Sequence, residues 1–266
     1  MDPRDHLDPL VVMVVAAPKV LVVGASSGIG LAISKRAVRR GALVAMAARR
    51  VDLLEQGAAD ANRSVSSGEF TGSGGQAKAF ACDVTDEVAC RNTVNSAVEW
   101  LGGLDKIVYA SASTNLSTLE KMDAAAWRDL LDTNVVGAGV VVSASLAHLR
   151  RGDHPTAVFL SSHSVADPWP GLVAYAASKA ALETTARGLR NEERSIRVLT
   201  VSVGPTLTGF ADGWDQAATA EAFSGWQERG LLRNEFLTAD QVAEAIVEAT
   251  LNGNETELAV IGEESQ

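Results

Sequence analysis

Lys19-Val20-Leu21-Val22-Val23-Gly24-Ala25-Ser26-Ser27-Gly28-Ile29-Gly30 runs from an apolar, β-branched stretch into a glycine-rich turn and on toward helical spacing. The first five residues predict a strand, and their unbroken apolar character predicts burial on both faces. A helix is expected from Ile29 to Arg40. Glycines between a strand and a helix let backbone approach a pyrophosphate while the amides of the helix N-terminus face it. The spacing here is G-x-x-x-G-x-G, not the commoner G-x-G-x-x-G. Taken alone, such a turn is also ordinary loop punctuation, so its meaning depends on what surrounds it.

Outward from this turn, strand and helix signals alternate without a break in composition. Further strands are expected at Leu43–Ala47, Ala77–Ala81, Lys106–Ala110, Ala157–Ser161, Ile196–Val203 and Glu257–Ile261. Helices are expected at Val51–Arg63, Asp86–Leu101, Ala124–Arg150, Ala174–Glu193 and Ala239–Leu251. Ser64–Gly75 is rich in Ser and Gly and is expected to be a loop, and the region after Val203 an irregular one with short helices. Continuous apolar strands alternating with helices predict an α/β fold, a doubly wound parallel sheet flanked by helices. With no repeat and no linker, residues 18–266 are expected to form one domain, and residues 1–17 a flexible lead-in with Met13 as a candidate native start.

Composition limits the function. Of 266 residues 47% are hydrophobic and 21% charged, enough apolar material for a substantial core. A formal net charge of −10 with no basic run argues against nucleic acid as partner. Cys82 and Cys90 are the only cysteines and form no C-x-x-C, which fits a reducing, cytoplasmic setting. Leu10–Ala17 is too short to span a bilayer and follows an acidic rather than a basic segment, so neither a membrane nor a secretory route is expected. His148 and His154 have no partners at metal-ligand spacing, and no metal is expected.

Tyr175-Ala176-Ala177-Ser178-Lys179 puts a phenol and an ammonium four residues apart in a helix-favouring run. On a helix the two share a face. A neighbouring positive charge favours the phenolate, so Lys179 is expected to lower the Tyr175 pKa toward working pH. The pair then suits proton transfer in alcohol–carbonyl chemistry.

Together these pieces resemble the short-chain dehydrogenase/reductase family over residues 19–262. The matching residues, in the family's order, are Gly24-x-x-x-Gly28-Ile29-Gly30, Asp83-Val84, Asn134, Ser162 and Tyr175-x-x-x-Lys179. The resemblance implies a single-domain Rossmann-type sheet of about seven strands, a nicotinamide cofactor and a homodimer or homotetramer. It further implies that Tyr175 is the general acid or base, Lys179 lowers its pKa and bonds the nicotinamide ribose, and Ser162 holds the substrate oxygen. Ser161 and Ser164 are rivals for that last role; the family's usual separation from the tyrosine favours Ser162. Asn134, in Asp132-Thr133-Asn134-Val135, would support a water in the proton relay. Gly24, Ser26, Ser27, Gly28, Ile29 and Gly30 would cradle the phosphates, Asp83 and Val84 would bracket the adenine, and Thr208 would approach the carboxamide.

Ala47-Ala48-Arg49-Arg50 carries no carboxylate where a ribose 2′-hydroxyl is usually held. Arg49, with Arg50, therefore points to NADP(H), with NAD(H) as the second candidate. Three departures from the family pattern stand out: Val23 in place of Thr, Tyr109-Ala110-Ser111-Ala112 in place of N-N-A-G, and Gly204-Pro205 in place of Pro-Gly.

On the substrate side, Trp169, Pro170, Leu172, Phe210, Trp214, Phe223 and Trp226 are candidates for an apolar pocket or for internal packing, and His163 is expected to point away. The leading expectation is an NADP(H)-dependent oxidoreductase that interconverts a carbonyl and a secondary alcohol on a small or medium apolar molecule. A dinucleotide-binding sensor without turnover, and an epimerase or dehydratase of the same fold, are the alternatives.

Overall fold

The computed structural model describes residues 16–66, 75–232 and 236–262. The expected lead-in lies outside the described residues except for Ala16 and Ala17, as does most of the expected Ser64–Gly75 loop. In chain order the elements begin with β1 (Lys19–Val23), α1 (Gly28–Arg39), β2 (Leu43–Ala48), α2 (Val51–Ser66), β3 (Gln76–Ala81), α3 (Glu87–Leu101) and β4 (Lys106–Tyr109). Then come α4 (Ala124–Leu131), a π-helical turn over Asp132–Val136, α5 (Gly137–Leu149), β5 (Thr156–Ser162), α6 (Val173–Glu192) and β6 (Arg197–Val203). The chain continues through β7 (Thr206–Leu207), α7 (Gln216–Glu228), β8 (Leu237–Thr238), α8 (Ala239–Asn252) and β9 (Glu257–Val260).

Seven strands form one sheet in the order β3-β2-β1-β4-β5-β6-β9, every neighbouring pair parallel. Side chains of a strand alternate between faces, and β1 shows what that requires of a doubly wound sheet. Val20 and Val22 enter one apolar layer with Ile33, Val38 and Ile246 from α1 and α8. Leu21 and Val23 enter the other with Val94, Leu149 and Leu182 from α3, α5 and α6. Each such fully buried side chain contributes about 1.5–3 kcal/mol, which is why none of residues 20–23 is polar.

Local signals set the helix ends. Asp86 opens α3 by accepting the Ala89 N–H at 3.0 Å, and Gly102, left-handed at φ 67°, closes it. Thr238 and Gln241 form a reciprocal capping box at the start of α8.

Two expectations needed correction. The single helix over Ala124–Arg150 is interrupted by the π turn, with Asn134 at its centre. The region after β6 contains a helix of thirteen residues, α7, and a two-stranded parallel β7–β8 pair. The span Ala124–Leu149 is long and apolar enough to cross a membrane by composition, with a mean hydropathy of 1.5, but it packs beside α3 and α6 as a core helix.

Strand order reverses between β1 and β4, so the chain leaves their C-terminal ends in opposite directions. The crevice this creates is where an open α/β sheet binds ligands.

Candidate functional site

A cleft of about 960 Å³ opens at that crevice, lined from the segments that follow β1, β2, β4, β5 and β6. The glycine turn forms its floor. Gly24 and Gly28 take φ of 89° and 55°, the left-handed region that side chains disfavour. A Cβ on Gly24 would lie 2.5 Å from the Ser111 nitrogen, and one on Gly30 would lie 2.3 Å from the Gly24 oxygen. Those two glycines are required by backbone packing. A Cβ on Gly28 would meet only the Thr208 side chain, at 3.5 Å. Gly28 thus has room in front of it, with only a van der Waals contact to Thr208: a bare cradle at a helix N-terminus, suited to a phosphate group.

Arg49 and Arg50 line the cleft just beyond β2. Arg50 lies across the turn, its guanidinium donating to the Ser26 hydroxyl at 3.2 and 3.3 Å and to the Ser27 hydroxyl. Of the Asp83–Val84 pair, Val84 lines the cleft but Asp83 does not. The Asp83 carboxylate turns onto Thr85, accepting its N–H at 3.0 Å and its hydroxyl at 2.8 Å. The Thr85 backbone bond, above all, holds that carboxyl below its ordinary pKa.

Ser162 ends β5, and Tyr175 and Lys179 stand one turn apart on the buried face of α6. All three line the cleft. The Ser162 and Ser164 hydroxyls are 2.9 Å apart, and Ser162 also accepts the Ser164 N–H at 3.2 Å. Ser161, the nearest rival, donates instead to the Glu183 carboxylate at 2.6 Å. Lys179 donates to the Leu160 carbonyl at 2.8 Å and lies 5.8 Å from the centre of the Tyr175 ring.

The titration of the pair differs from expectation. Burial pushes the Tyr175 phenol up to about 12, and the Ser162 hydroxyl beside it only partly offsets the rise. Burial also pulls Lys179 down to about 8. Desolvation outweighs every attraction here because both groups are enclosed. The phenol is held protonated, not poised as phenolate.

Asn134 does not line the cleft; it is fully buried behind it. Its Oδ1 accepts the Ser113 N–H at 2.7 Å, while its amide donates to the Ser113 carbonyl at 2.9 Å and to the Ser178 hydroxyl at 2.8 Å. Ser178 in turn donates to the Tyr175 carbonyl at 2.7 Å. The amide therefore ties the loop after β4 to the helix carrying Tyr175. Alongside, the Tyr109 hydroxyl donates to the Thr133 carbonyl at 2.5 Å within the π turn. Where the family pattern is broken, Tyr109 fastens the segment, and Ala110, Ser111 and Ala112 still line the cleft.

The far side of the cleft is aromatic. Phe210 meets Tyr175 edge-on at 5.2 Å and 76°, and Trp214 meets Phe210 at 5.2 Å and 72°. Trp226 packs between Trp169 and Phe223 and anchors through its indole N–H to the Pro170 carbonyl at 2.9 Å. Leu232 and Phe236, missed in the sequence, complete this wall. His163 lines the cleft, because the chain enters a 3-10 turn there and strand alternation no longer applies. Thr114 Oγ1 and Trp214 Nε1 are buried without a hydrogen-bond partner among the described residues. Nothing in the sequence pointed to Ser178 or Thr114, whose surroundings come wholly from tertiary packing.

A sheet of this order with a glycine cradle and a phenol at its crevice defines a dinucleotide-binding oxidoreductase fold. The family model for short chain dehydrogenases matches residues 18–219, and the chain belongs to that family. It is 30% identical over 233 residues to 2-(S)-hydroxypropyl-CoM dehydrogenase 3 of Xanthobacter autotrophicus, covering 86% of this chain and 87% of that one. It is 31% identical over 204 residues to a putative ketoacyl reductase of the granaticin polyketide synthase of Streptomyces violaceoruber, covering 75% and 77%. Among solved structures, a dehydrogenase/reductase from Sinorhizobium meliloti 1021 superposes with a TM-score of 0.78 at 26% identity, covering 93% of this chain and 95% of the other. The protein is an oxidoreductase of the dehydrogenase/reductase kind.

Proposed function

We propose that the protein is an NADP(H)-dependent enzyme that interconverts a carbonyl and a secondary alcohol, with Tyr175 as general acid and base. The observation carrying this reading is the convergence of Ser162, Tyr175 and Lys179 on a cleft floored by the glycine turn. The bare cradle at Gly28 and the serines of the turn fit the phosphates of a dinucleotide, which supplies or accepts the hydride when bound. Arg49 and Arg50 would hold a 2′-phosphate, for which the fork of a guanidinium is well matched.

In the reducing direction the protonated phenol of Tyr175 gives its proton to the carbonyl oxygen. The Ser162 hydroxyl, fixed by Ser164, donates to the same oxygen and stabilises the charge that gathers there. Lys179, anchored on Leu160, brings a positive charge against the phenolate left behind. Asn134 is a positioning residue: it holds the loop and the helix that carry the reacting group. The relative named for a 2-hydroxypropyl group, a secondary alcohol, supports the reaction type. Ser143 and Ala147, small and exposed on α5, fit close packing against a second copy in a homodimer or homotetramer.

The test is Tyr175→Phe, followed by nicotinamide absorbance and by dinucleotide binding. Turnover is expected to fall by about 10²–10⁴-fold while NADPH still binds within about twofold of wild type. Activity surviving the substitution would remove Tyr175 from the reaction.

A further inference from the structure

We propose that the substrate half of the cleft selects an uncharged carbonyl compound, or its alcohol, bearing a flat aromatic ring that lies along Phe210 and Trp214. The inference rests on the carbonyl–alcohol reading above and goes beyond it by naming the substrate class.

The apolar wall begins at the reacting group itself, since Phe210 packs edge-on against the Tyr175 ring. From there Phe210, Trp214, Trp226 and Phe223 form a continuous series of rings, each 5.2–6.4 Å from the next. All four line the cleft. Aromatic rings prefer such edge-to-face and offset neighbours at about 4.5–7 Å, and each pair gains attraction beyond area burial. A ring attached to the carbonyl carbon would extend this series, whereas an aliphatic group of equal size would gain only area. The Trp226–Pro170 bond fixes the wall before any ligand arrives.

Charge narrows the class further. Of the cleft's cations among the described residues, Arg50 lies on Ser26 and Ser27, Lys179 is bonded to Leu160, and Arg49 directly follows β2. Among the described residues the wall carries no cation, and His163 stands next to Ser162 rather than among its rings. Asp212, exposed and lining the cleft two residues beyond Phe210, adds a negative charge. A carboxylate or phosphate on the substrate would meet that charge and leave water without a partner, which is costly. The unpartnered Trp214 indole N–H and Thr114 hydroxyl offer only neutral contacts.

The experiment compares three ketones with NADPH: acetophenone, cyclohexyl methyl ketone and 4-acetylbenzoate. Acetophenone is expected to exceed cyclohexyl methyl ketone in kcat/KM by threefold or more, and 4-acetylbenzoate by tenfold or more. Trp214→Leu is expected to lower kcat/KM for acetophenone at least threefold more than for cyclohexyl methyl ketone. Asp212→Lys is expected to raise kcat/KM for 4-acetylbenzoate several-fold relative to that for acetophenone. Equal or better use of the anionic or cyclohexyl ketone by wild type, or equal slowing of both neutral ketones by Trp214→Leu, would overturn the inference and leave the carbonyl–alcohol reading intact. If none of the three turns over, that reading fails, and calorimetric binding to Tyr175→Phe decides this one. Acetophenone binding at least tenfold tighter than 4-acetylbenzoate would support it, and equal affinities would refute it.

Discussion

The Lys179 ammonium donates to the Leu160 carbonyl at 2.8 Å and reaches no closer to Tyr175 than the face of its ring, 5.8 Å from the centre. Burial, not attraction between the two, governs both titrations. Lys179 titrates near 8 in the folded chain and near 10.5 in the unfolded one. Between those values the unfolded chain binds more protons, so the lysine's contribution to stability rises with pH. From pH 7 to pH 10 wild type should gain about 2–3 kcal/mol relative to Lys179→Met, as read from urea midpoints. Parallel curves for the two proteins would contradict it. Above pH 10 Tyr175 acts in the opposite sense: its raised pKa gives stability that is lost as pH rises toward about 12.

The three turn glycines should separate by assay. Gly24→Ala and Gly30→Ala drive a methyl into backbone and should cost about 3 kcal/mol in thermal or urea unfolding. Gly28→Ala adds a methyl that meets only Thr208, at an ordinary 3.5 Å, and should cost about 1 kcal/mol for its positive φ. Its NADPH affinity, measured by fluorescence titration, should nevertheless fall at least tenfold.

Removing one oxygen from Tyr109 should report on the fastening of the π turn. Tyr109→Phe leaves the Thr133 carbonyl buried without its partner and should destabilise by about 1–3 kcal/mol with kcat within about threefold. Asn134→Ala unpairs groups on the loop and, through Ser178, on α6, so it should lower both stability and kcat while KM for NADPH moves little. The kcat-against-KM split distinguishes positioning from cofactor contact.

Arg50→Ala should raise the KM for NADPH by about tenfold or more, the value of a charged hydrogen bond being about 1.5–3 kcal/mol. The KM for NADH should stay within about twofold. Equal losses with both cofactors would assign Arg50 to holding Ser26 and Ser27 rather than to the 2′-phosphate.

Val136, Ser143 and Ala147 are exposed on the α5 side of the long apolar span. Ser143→Arg should convert a dimer or tetramer to monomer in multi-angle light scattering. An unchanged mass would place the subunit contact elsewhere.

What the sequence made legible was local. The strand–turn–helix at Lys19–Gly30 and the one-turn spacing of Tyr175 and Lys179 depend on neighbours in the chain, and both are seen where they were expected. The π turn at Asn134 was not legible, because its partners Ser113 and Ser178 lie 21 and 44 residues away. The sign of the Tyr175 shift was misjudged for the same reason: spacing tells which groups are near, whereas desolvation depends on everything that closes over them. The β7–β8 pair, two residues per strand, left no periodicity to detect.

The Asn134 brace also bears on when the protein becomes active during folding. Its amide joins segments that meet only after β4, β5 and α6 have docked, and the seven-stranded sheet beneath is made wholly of parallel pairs. Loops of that size must close before their contacts reward them, which slows assembly. Tryptophan burial should therefore recover ahead of catalysis after dilution from denaturant, and an intermediate with a formed core and no activity is the natural species to look for on the way back.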